Sequence, residues 1–329
     1  MLVLTAEEVR RALPMAQAIE AMKRAYAALS DGRAEVPLRA RLPIAPHDAL
    51  SLFMPAFVRG PQGEALAVKV VSLFPNNPAR GLAFIQAAVL VLDPETGQAV
   101  ALLEGSSLTA IRTGAAGGAA VDLLSRPESS VLAVFGAGTQ GRTQLEAACA
   151  VRNIESIWIY DADPVRAGAF VAELSRAATI PQDLRVARDA RQAVQHADIV
   201  CTATTSLTPV FSDADLQAGA HISAVGSYTP EMQEIPGETV KRARVVVDSR
   251  SAALAETGDL IQPIRLGLFG EDHIHAELGE IVLGRRPGRQ SAAEITFFKS
   301  VGIAVQDAVA AELAVSNARA MGIGQEVTF

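Results

Sequence analysis

The chain has 329 residues, enough for one or two domains. Its 29 Lys and Arg against 36 Asp and Glu give a net charge of −7, which excludes the basic footprint of a nucleic-acid binder and attraction to an anionic membrane surface. Half of the residues are hydrophobic and 20% are charged, so a large core can be buried, disorder is excluded, and no apolar run reaches the roughly 18 residues of a membrane span.

The opening run, residues 1–13, has no basic segment ahead of its apolar tip and turns acidic at once, so it does not read as a secretory signal. Residues 2–4 read as a strand tip. Thr5 then caps a helix, with Glu8 three positions on completing a capping box. A second helix follows Pro14, with Ile19, Met22, Tyr26 and Leu29 on one face, and Gly32 ends it. Residues 50–54, 66–74, 87–93 and 99–103 are Val- and Leu-rich strands, the last two joined by a turn at Pro94 to Gly97. This half reads as a small α+β unit, antiparallel in style. An Ala- and Gly-rich helix over residues 106–124 follows, with Leu108, Ile111, Ala115 and Ala119 as its stripe. From Ser130 onward strands alternate with helices: strands at 131–135, 156–160, 184–187, 199–202, 221–225 and 245–247, helices at 140–150 and 164–177. Continuous apolar strands between helices mean a parallel sheet covered on both faces. Residues 300–321 read as one long helix, with Val305, Ala308, Val309 and Leu313 on a face and Gly322 as its stop. Cys149 and Cys201 are too few for a disulfide framework and read as core residues in a reducing, cytoplasmic compartment. His273 and His275 alternate as metal ligands can, but no third ligand has matching spacing, so no metal is expected. Trp158 and Tyr160 read as packing residues of their strand.

Gly136, Gly138 and Gly141 form a G-x-G-x-x-G directly after the apolar strand and at the start of the next helix. The first glycine permits the tight turn, the second lets the backbone approach a pyrophosphate, and the third lets helix and strand pack closely. Asp161 ends the following strand, 20 residues past Gly141. A carboxylate there accepts hydrogen bonds from the adenosine ribose and repels a 2′-phosphate, which favours NAD(H) over NADP(H); Arg166 nearby blurs that preference and leaves NADP(H) open.

Three cations stand in unusual places. Arg39 precedes the first long strand, Lys69 interrupts the apolar run of residues 66–71, and Arg112 lies inside the Ala/Gly helix. A buried cation is costly unless paired. Either these are satisfied ion pairs, with Glu35, Glu64 and Glu104 as candidate partners, or they converge as a clamp on one ligand carboxylate.

The sequence resembles the ornithine cyclodeaminase/mu-crystallin family over nearly its whole length. The likeness lies in the Pro-x-Arg at Arg39, Met54-Pro-Ala, Lys-Val-Val at Lys69 and Leu-Thr-Ala-Ile-Arg-Thr-Gly-Ala from Leu108. It continues through the glycine motif, Ala-Asp-Ile-Val before Cys201, Ser-Ala-Val-Gly-Ser from Ser223, Ala-Glu-Leu-Gly from Ala276 and Phe-Lys-Ser-Val-Gly from Phe298. The resemblance implies an α/β chain: a Rossmann-type, doubly wound parallel sheet domain over residues 116–303, and an α+β substrate-binding and dimerisation domain from residues 1–115 with 304–329. It implies a homodimer. It also implies that Arg39, Lys69 and Arg112, with Met54 beside them, hold the substrate carboxylate; Arg41 has no counterpart and reads as an exposed or paired strand charge. Cofactor contacts are implied for Thr113, Gly136, Gly138, Thr139, Gln140, Gly141, Asp161, Thr202, Thr204, Val225, Gly226, Ser227, Lys299 and Gly302. Glu256, Asp259 and Lys299 are expected near the cofactor or behind the groups that touch it.

Two departures matter. Ornithine cyclodeaminases carry an Asp shortly after the Val-Gly segment, where this chain has Tyr228, and a Glu just before Met-Pro, where it has Leu52 and Phe53. That Asp serves the amine chemistry, and both losses argue against ornithine. The Gly-Ser-Tyr-Thr-Pro form from Gly226 looks like the branch that reduces cyclic imines. The expected activity is NAD(P)H-dependent reduction of 1-pyrroline-2-carboxylate to L-proline, with the six-membered piperideine analogue as a side reaction. Lys69, Arg112 and Tyr228 are the expected catalytic groups. Either Tyr228 or Ser227 polarises the imine nitrogen or relays a proton through water, or Tyr228 merely fills the space left by the shorter Asp. The rival readings are ornithine cyclodeamination, an alanine dehydrogenase-like activity, and a non-catalytic protein that holds NADPH or another small ligand.

Overall fold

The computed structural model describes residues 1–61 and 63–328. The chain forms two compact units, Met1–Arg112 with Ile303–Phe329, and Thr113–Gly302. The divisions fall after residues 112 and 302, where the sequence suggested 115 and 303.

The first unit is built on one mixed sheet. Its strands run in the order Gln325–Glu326, Leu2–Leu4, Ala99–Glu104, Ile85–Leu92, Gly63–Leu73, Ala49–Gly60 and Ala34–Glu35. Ala40–Ile44 also pairs with Ala49–Gly60. All these pairings are antiparallel except that of Leu2–Leu4 with Ala99–Glu104. The long strand Ala49–Gly60 was only half visible in the sequence, because Pro55 falls in its middle. Pro55, which has no N–H to donate, falls between the partners on one edge of the strand: Ala40–Ile44 pairs with residues 49–53, and Ala34–Glu35 with 57–58. The capping box forms as read, with Thr5 and Glu8 bonding reciprocally at the start of Ala6–Ala12. Helices Met15–Ser30 and Ala304–Met321 cover one face of the sheet. Against them point Met54, Ala56 and Val58, then Ala65, Ala67, Lys69 and Val71, then Val89 and Val91, all buried. The final helix starts at Ala304 rather than Ser300, because Gly302 (φ 80°) turns the chain just before it.

The second unit holds an eight-stranded sheet in which every pairing is parallel. Its order is Asp183–Val186, Ser156–Tyr160, Val131–Phe135, Ile199–Thr202, His221–Ala224, Thr296–Lys299, Arg244–Val247, Ile274–Glu277. The sheet grows outward in both directions from Val131–Phe135 and Ile199–Thr202. Their boundary is therefore the topological switch point, where a crevice opens at the carboxyl ends of the strands. Helices such as Thr139–Val151 and Pro164–Leu174 cover the sheet, and apolar clusters lie on both of its faces. The strands Thr296–Lys299 and Ile274–Glu277 were not anticipated. The helix at Pro164 ends at Leu174, three residues short of expectation. No helix is long and apolar enough to cross a membrane among the described residues.

One core group makes this unit acid-sensitive. His221 is fully buried, with Nδ1 2.9 Å from Thr296 Oγ1 on the adjacent strand. Burial, helped by Arg289 and Arg152, pushes its pKa from 6.5 down to about 3. The folded chain therefore keeps His221 neutral where the unfolded chain binds a proton. Stability is lost as pH falls below 6.5 toward 3, by up to about 1.4 kcal/mol per pH unit. Urea unfolding of wild type and His221→Asn at pH 7 and pH 5 should show a smaller acid loss in the variant; equal losses would refute the assignment.

Candidate active site

The dinucleotide motif folds as a cradle in the second unit. Gly136 follows Val131–Phe135 with φ 101°, and a Cβ there would lie 2.5 Å from the Ala203 carbonyl oxygen. A Cβ on Gly141 would collide with the Gly136 carbonyl. Both positions thus require glycine, one for backbone conformation and one for close packing. Gly138 stands at the N-cap of Thr139–Val151 and offers no side chain to its first turn, so the helix end presents N–H groups to an anion. A cavity of about 430 Å³ opens here, lined by Gly136, Gly138, Tyr160, Asp161, Arg166 and Thr204 among others. Asp161 accepts from Ala137 N (2.8 Å) and Asp163 N (3.0 Å), and Arg166 Nε stands 4.0 Å from its Oδ2. The glycine turn, the open helix end and a carboxylate in one cavity at the switch point fit the adenosine and pyrophosphate of a nicotinamide dinucleotide.

Beside the cradle, the loops after Ile199–Thr202 and His221–Ala224 are joined by a side chain the sequence reading missed. Glu234 is fully buried and accepts from Thr204 N (2.7 Å), Thr204 Oγ1 (2.9 Å), Gly226 N (2.7 Å) and Ser227 N (3.2 Å). Asp259 accepts from Glu234 N and Ile235 N, and pairs with Lys299 Nζ at 3.0 Å. Burial raises the Glu234 carboxyl, and Lys299 opposes the rise. Lys299 is wholly buried and paired with Asp259, behind these loops. One expectation is corrected. The Ser227 hydroxyl is also buried, bonded to Met232 O and Thr257 Oγ1, and is not available to polarise an imine. Thr202 is likewise buried beneath this edge, and Thr113 meets Gln144 through its carbonyl oxygen. Gly302 N donates to Asp248, which shapes the turn after Thr296–Lys299. Tyr228, by contrast, is 38% exposed on the loop that follows His221–Ala224. Burial raises its phenol above the usual value.

The cations lie in the first unit, and the structure brings two of them together. Lys69 is 2% exposed and Arg112 6% exposed. Lys69 Nζ is 2.7 Å from Asp307 Oδ2, and Arg112 Nε donates to Asp307 Oδ1 at 3.0 Å. Arg112 Nη1 donates to Gln306 Oε1 (3.0 Å), whose Nε2 donates to the buried Tyr26 hydroxyl (2.7 Å). The shared partner is thus Asp307, not Glu35, Glu64 or Glu104; Glu104 instead accepts from Ser106 N and Ser107 N at the head of Gly105–Leu124. An acid amid the apolar stripe of Val305, Ala308 and Val309 was the signal for Asp307 in the sequence. Met54 pairs directly opposite Lys69 on the neighbouring strand. Arg39 is close enough to depress the Lys69 pKa, and Arg41 is exposed on Ala40–Ile44. Burial pushes the Lys69 ammonium down to about 8, against the pull of Asp307. His273 and His275 bond to the carbonyls of Val240 and Pro287.

The chain is similar to known proteins over its full length. It is 42% identical over 330 residues to a Delta(1)-pyrroline-2-carboxylate reductase of Bacillus cereus, covering all of both chains. It superposes with a TM-score of 0.94 and 42% identity on the Thermococcus litoralis Delta(1)-pyrroline-2-carboxylate reductase in complex with NADH and L-proline, covering 99% of this chain and 100% of that one. An archaeal alanine dehydrogenase dimer with bound NAD matches with a TM-score of 0.91 and 32% identity over 100% of this chain and 99% of the other. The ornithine cyclodeaminase/mu-crystallin family model matches residues 1–322, and the chain belongs to that family.

Proposed function

We propose that the protein reduces a cyclic imino acid, 1-pyrroline-2-carboxylate to L-proline, with 1-piperideine-2-carboxylate as a second substrate. The observation that carries this reading is the pair of buried cations, Lys69 and Arg112, ordered around one acid. Replacing a buried ion cluster with apolar side chains is often neutral or stabilising, so such a cluster needs a reason other than stability. Binding a carboxylate is that reason, and arginine adds bidentate geometry. The clamp orients the imine carbon next to the carboxylate and offsets its charge. When bound, a reduced nicotinamide supplies the hydride to that carbon. A preformed iminium already carries its proton on nitrogen, so no strong protein acid is needed. Tyr228, Leu52 and Phe53 stand where deaminating enzymes are expected to carry acids, which supports reduction over deamination. The Bacillus cereus relative and the Thermococcus litoralis structure are both Delta(1)-pyrroline-2-carboxylate reductases, and the second carries NADH and L-proline. The likeness to an alanine dehydrogenase supports a second reading, reductive amination of pyruvate.

We infer NADH as the preferred cofactor, from Asp161 in the cradle, with NADPH admitted by the 59% exposed Arg166 side chain. We also infer a homodimer. The outer face of the first sheet is apolar and uncovered by this chain, with Phe53, Pro55, Val68, Val70, Leu90 and Leu102 all partly exposed. A continuous face of this kind marks an interface. The free thiols Cys149 and Cys201, both pushed by burial up to about 12 and so unreactive, support a reducing, cytoplasmic setting.

Protein mixed with NADH and 1-pyrroline-2-carboxylate should consume nicotinamide absorbance and form proline. No consumption, with proline released from ornithine, would overturn the reading; oxidation of NADH only with pyruvate and ammonia would favour the second. Arg112→Ala should lower turnover by about 100-fold or more while NADH still binds, and retained activity would refute the clamp. Asp161→Ser should shift the NADH/NADPH ratio of kcat/KM toward NADPH; an unchanged ratio would show that the acid does not read the ribose. Sedimentation should give twice the chain mass, and Val68→Glu with Leu90→Lys should lower it to one, whereas a wild-type monomer would sink the dimer.

A further inference from the structure

We propose that Asp307, with Gln306 beside it, is the positioning residue of the carboxylate clamp: its two oxygens fix the Lys69 ammonium and the Arg112 Nε–H, and so aim the remaining N–H groups of both cations at the ligand. This rests on the reading that Lys69 and Arg112 bind the substrate carboxylate. The geometry is specific. Asp307 is 1% exposed and divides its oxygens, Oδ2 to Lys69 (2.7 Å) and Oδ1 to Arg112 (3.0 Å). Gln306 Oε1 takes Arg112 Nη1, and also accepts from Ile303 N at 2.8 Å. Its Nε2 is tied to Tyr26 Oη, on a separate helix. Arg112 is therefore held along one edge, by Nε and Nη1, while Nη2 has no protein hydrogen bond among the described residues. Among the described residues Lys69 has one ion-pair partner, Asp307, for three N–H groups. One carboxylate between two buried cations leaves a single surplus positive charge, which one ligand carboxylate neutralises.

The same geometry makes Asp307 control a charge. Lys69 faces Asp307 on Ala304–Met321, Arg112 on Gly105–Leu124 and Arg39 on the segment before Ala40–Ile44; its strand neighbours Met54 and Val89 are uncharged. Burial and the two arginines disfavour the ammonium, and Asp307 is the acid among its named influences that favours it. With a pKa of about 8, Lys69 is charged below that pH and neutral above it. Removing the acid lowers the pKa further, so the clamp loses one cation at neutral pH.

The test uses pyrrole-2-carboxylate, titrated calorimetrically into the NADH-loaded protein from pH 6 to 9, with NADH affinity followed separately by fluorescence. Wild type should hold its affinity up to about pH 8 and lose it above. Asp307→Asn should bind NADH normally, bind the probe about tenfold more weakly at neutral pH, and begin its alkaline loss about two pH units lower. At pH 6, where Lys69 regains its proton, the variant should recover most of that loss. An affinity and pH profile equal to wild type would overturn the proposal, and so would an equal loss at every pH, which marks a merely structural role. Gln306→Leu tests the same device with Asp307 intact: the probe should bind about threefold more weakly at all pH values, and unchanged binding counts against the proposal. Wild type that binds NADH but not the probe would overturn the clamp reading itself; binding that both variants share would overturn only the part given to Asp307 and Gln306.

Discussion

One carboxylate held between two buried cations governs the first unit. Lys69 and Arg112 come from a strand and a helix far apart in sequence from Asp307, on the last helix. Each charge alone would cost several kcal/mol to bury, and the cluster persists only because all three are brought to one point. This constraint explains why the chain returns after Thr113–Gly302 to complete its first unit. The final helix is at once the cover of the sheet and the source of the counter-charge. A sheet interior lined by Ala65, Ala67 and Val71 has no packing need for a lysine, so the cost points to ligand recognition rather than to stability.

The second unit solves a related problem with opposite signs. Two buried carboxylates, Glu234 and Asp259, are set against one buried lysine, Lys299. Glu234 uses its oxygens to gather N–H groups from two neighbouring loops at the carboxyl edge of the sheet. Loops on such edges carry ligand contacts but lack ladder partners of their own, so a buried acceptor is what gives them a fixed shape. Tyr228 emerges from the loop that this network fastens at Ser227 and Glu234, which makes its position a consequence of charges that never reach the surface.

Local signals were legible where short-range physics decides. The capping box at Thr5 and Glu8, the stripe of Ile19, Met22 and Tyr26, and the Asp93-to-Gly97 turn each follow from residues within a few positions of one another. Strand–helix alternation implied a parallel sheet, and the glycine motif with Asp161 marked its ligand edge. Illegible from the sequence were the strands Ala40–Ile44 and Thr296–Lys299. Pro43 interrupts one, and the other is too short for its partners on either side to be inferred. The middle of Ala49–Gly60 was hidden for the same reason, since whether a proline fits a strand depends on whether its N–H side is paired. Lys299 was expected near the cofactor or behind the groups that touch it, and its partner Asp259, 40 residues away in sequence, was not legible.

Fold class, the dinucleotide edge and the cations set in unusual places follow from the order of the residues alone. These are set by periodicity, by backbone conformations open only to glycine, and by the cost of burying charge, all of which act through local composition. Which charges meet is a matter of the folded chain. Glu64 is close to Lys69 in sequence and Glu104 to Arg112, yet Asp307, some two hundred residues away, holds both. Pairing depends on distance in space and on the absence of water between the partners, and chain order fixes neither.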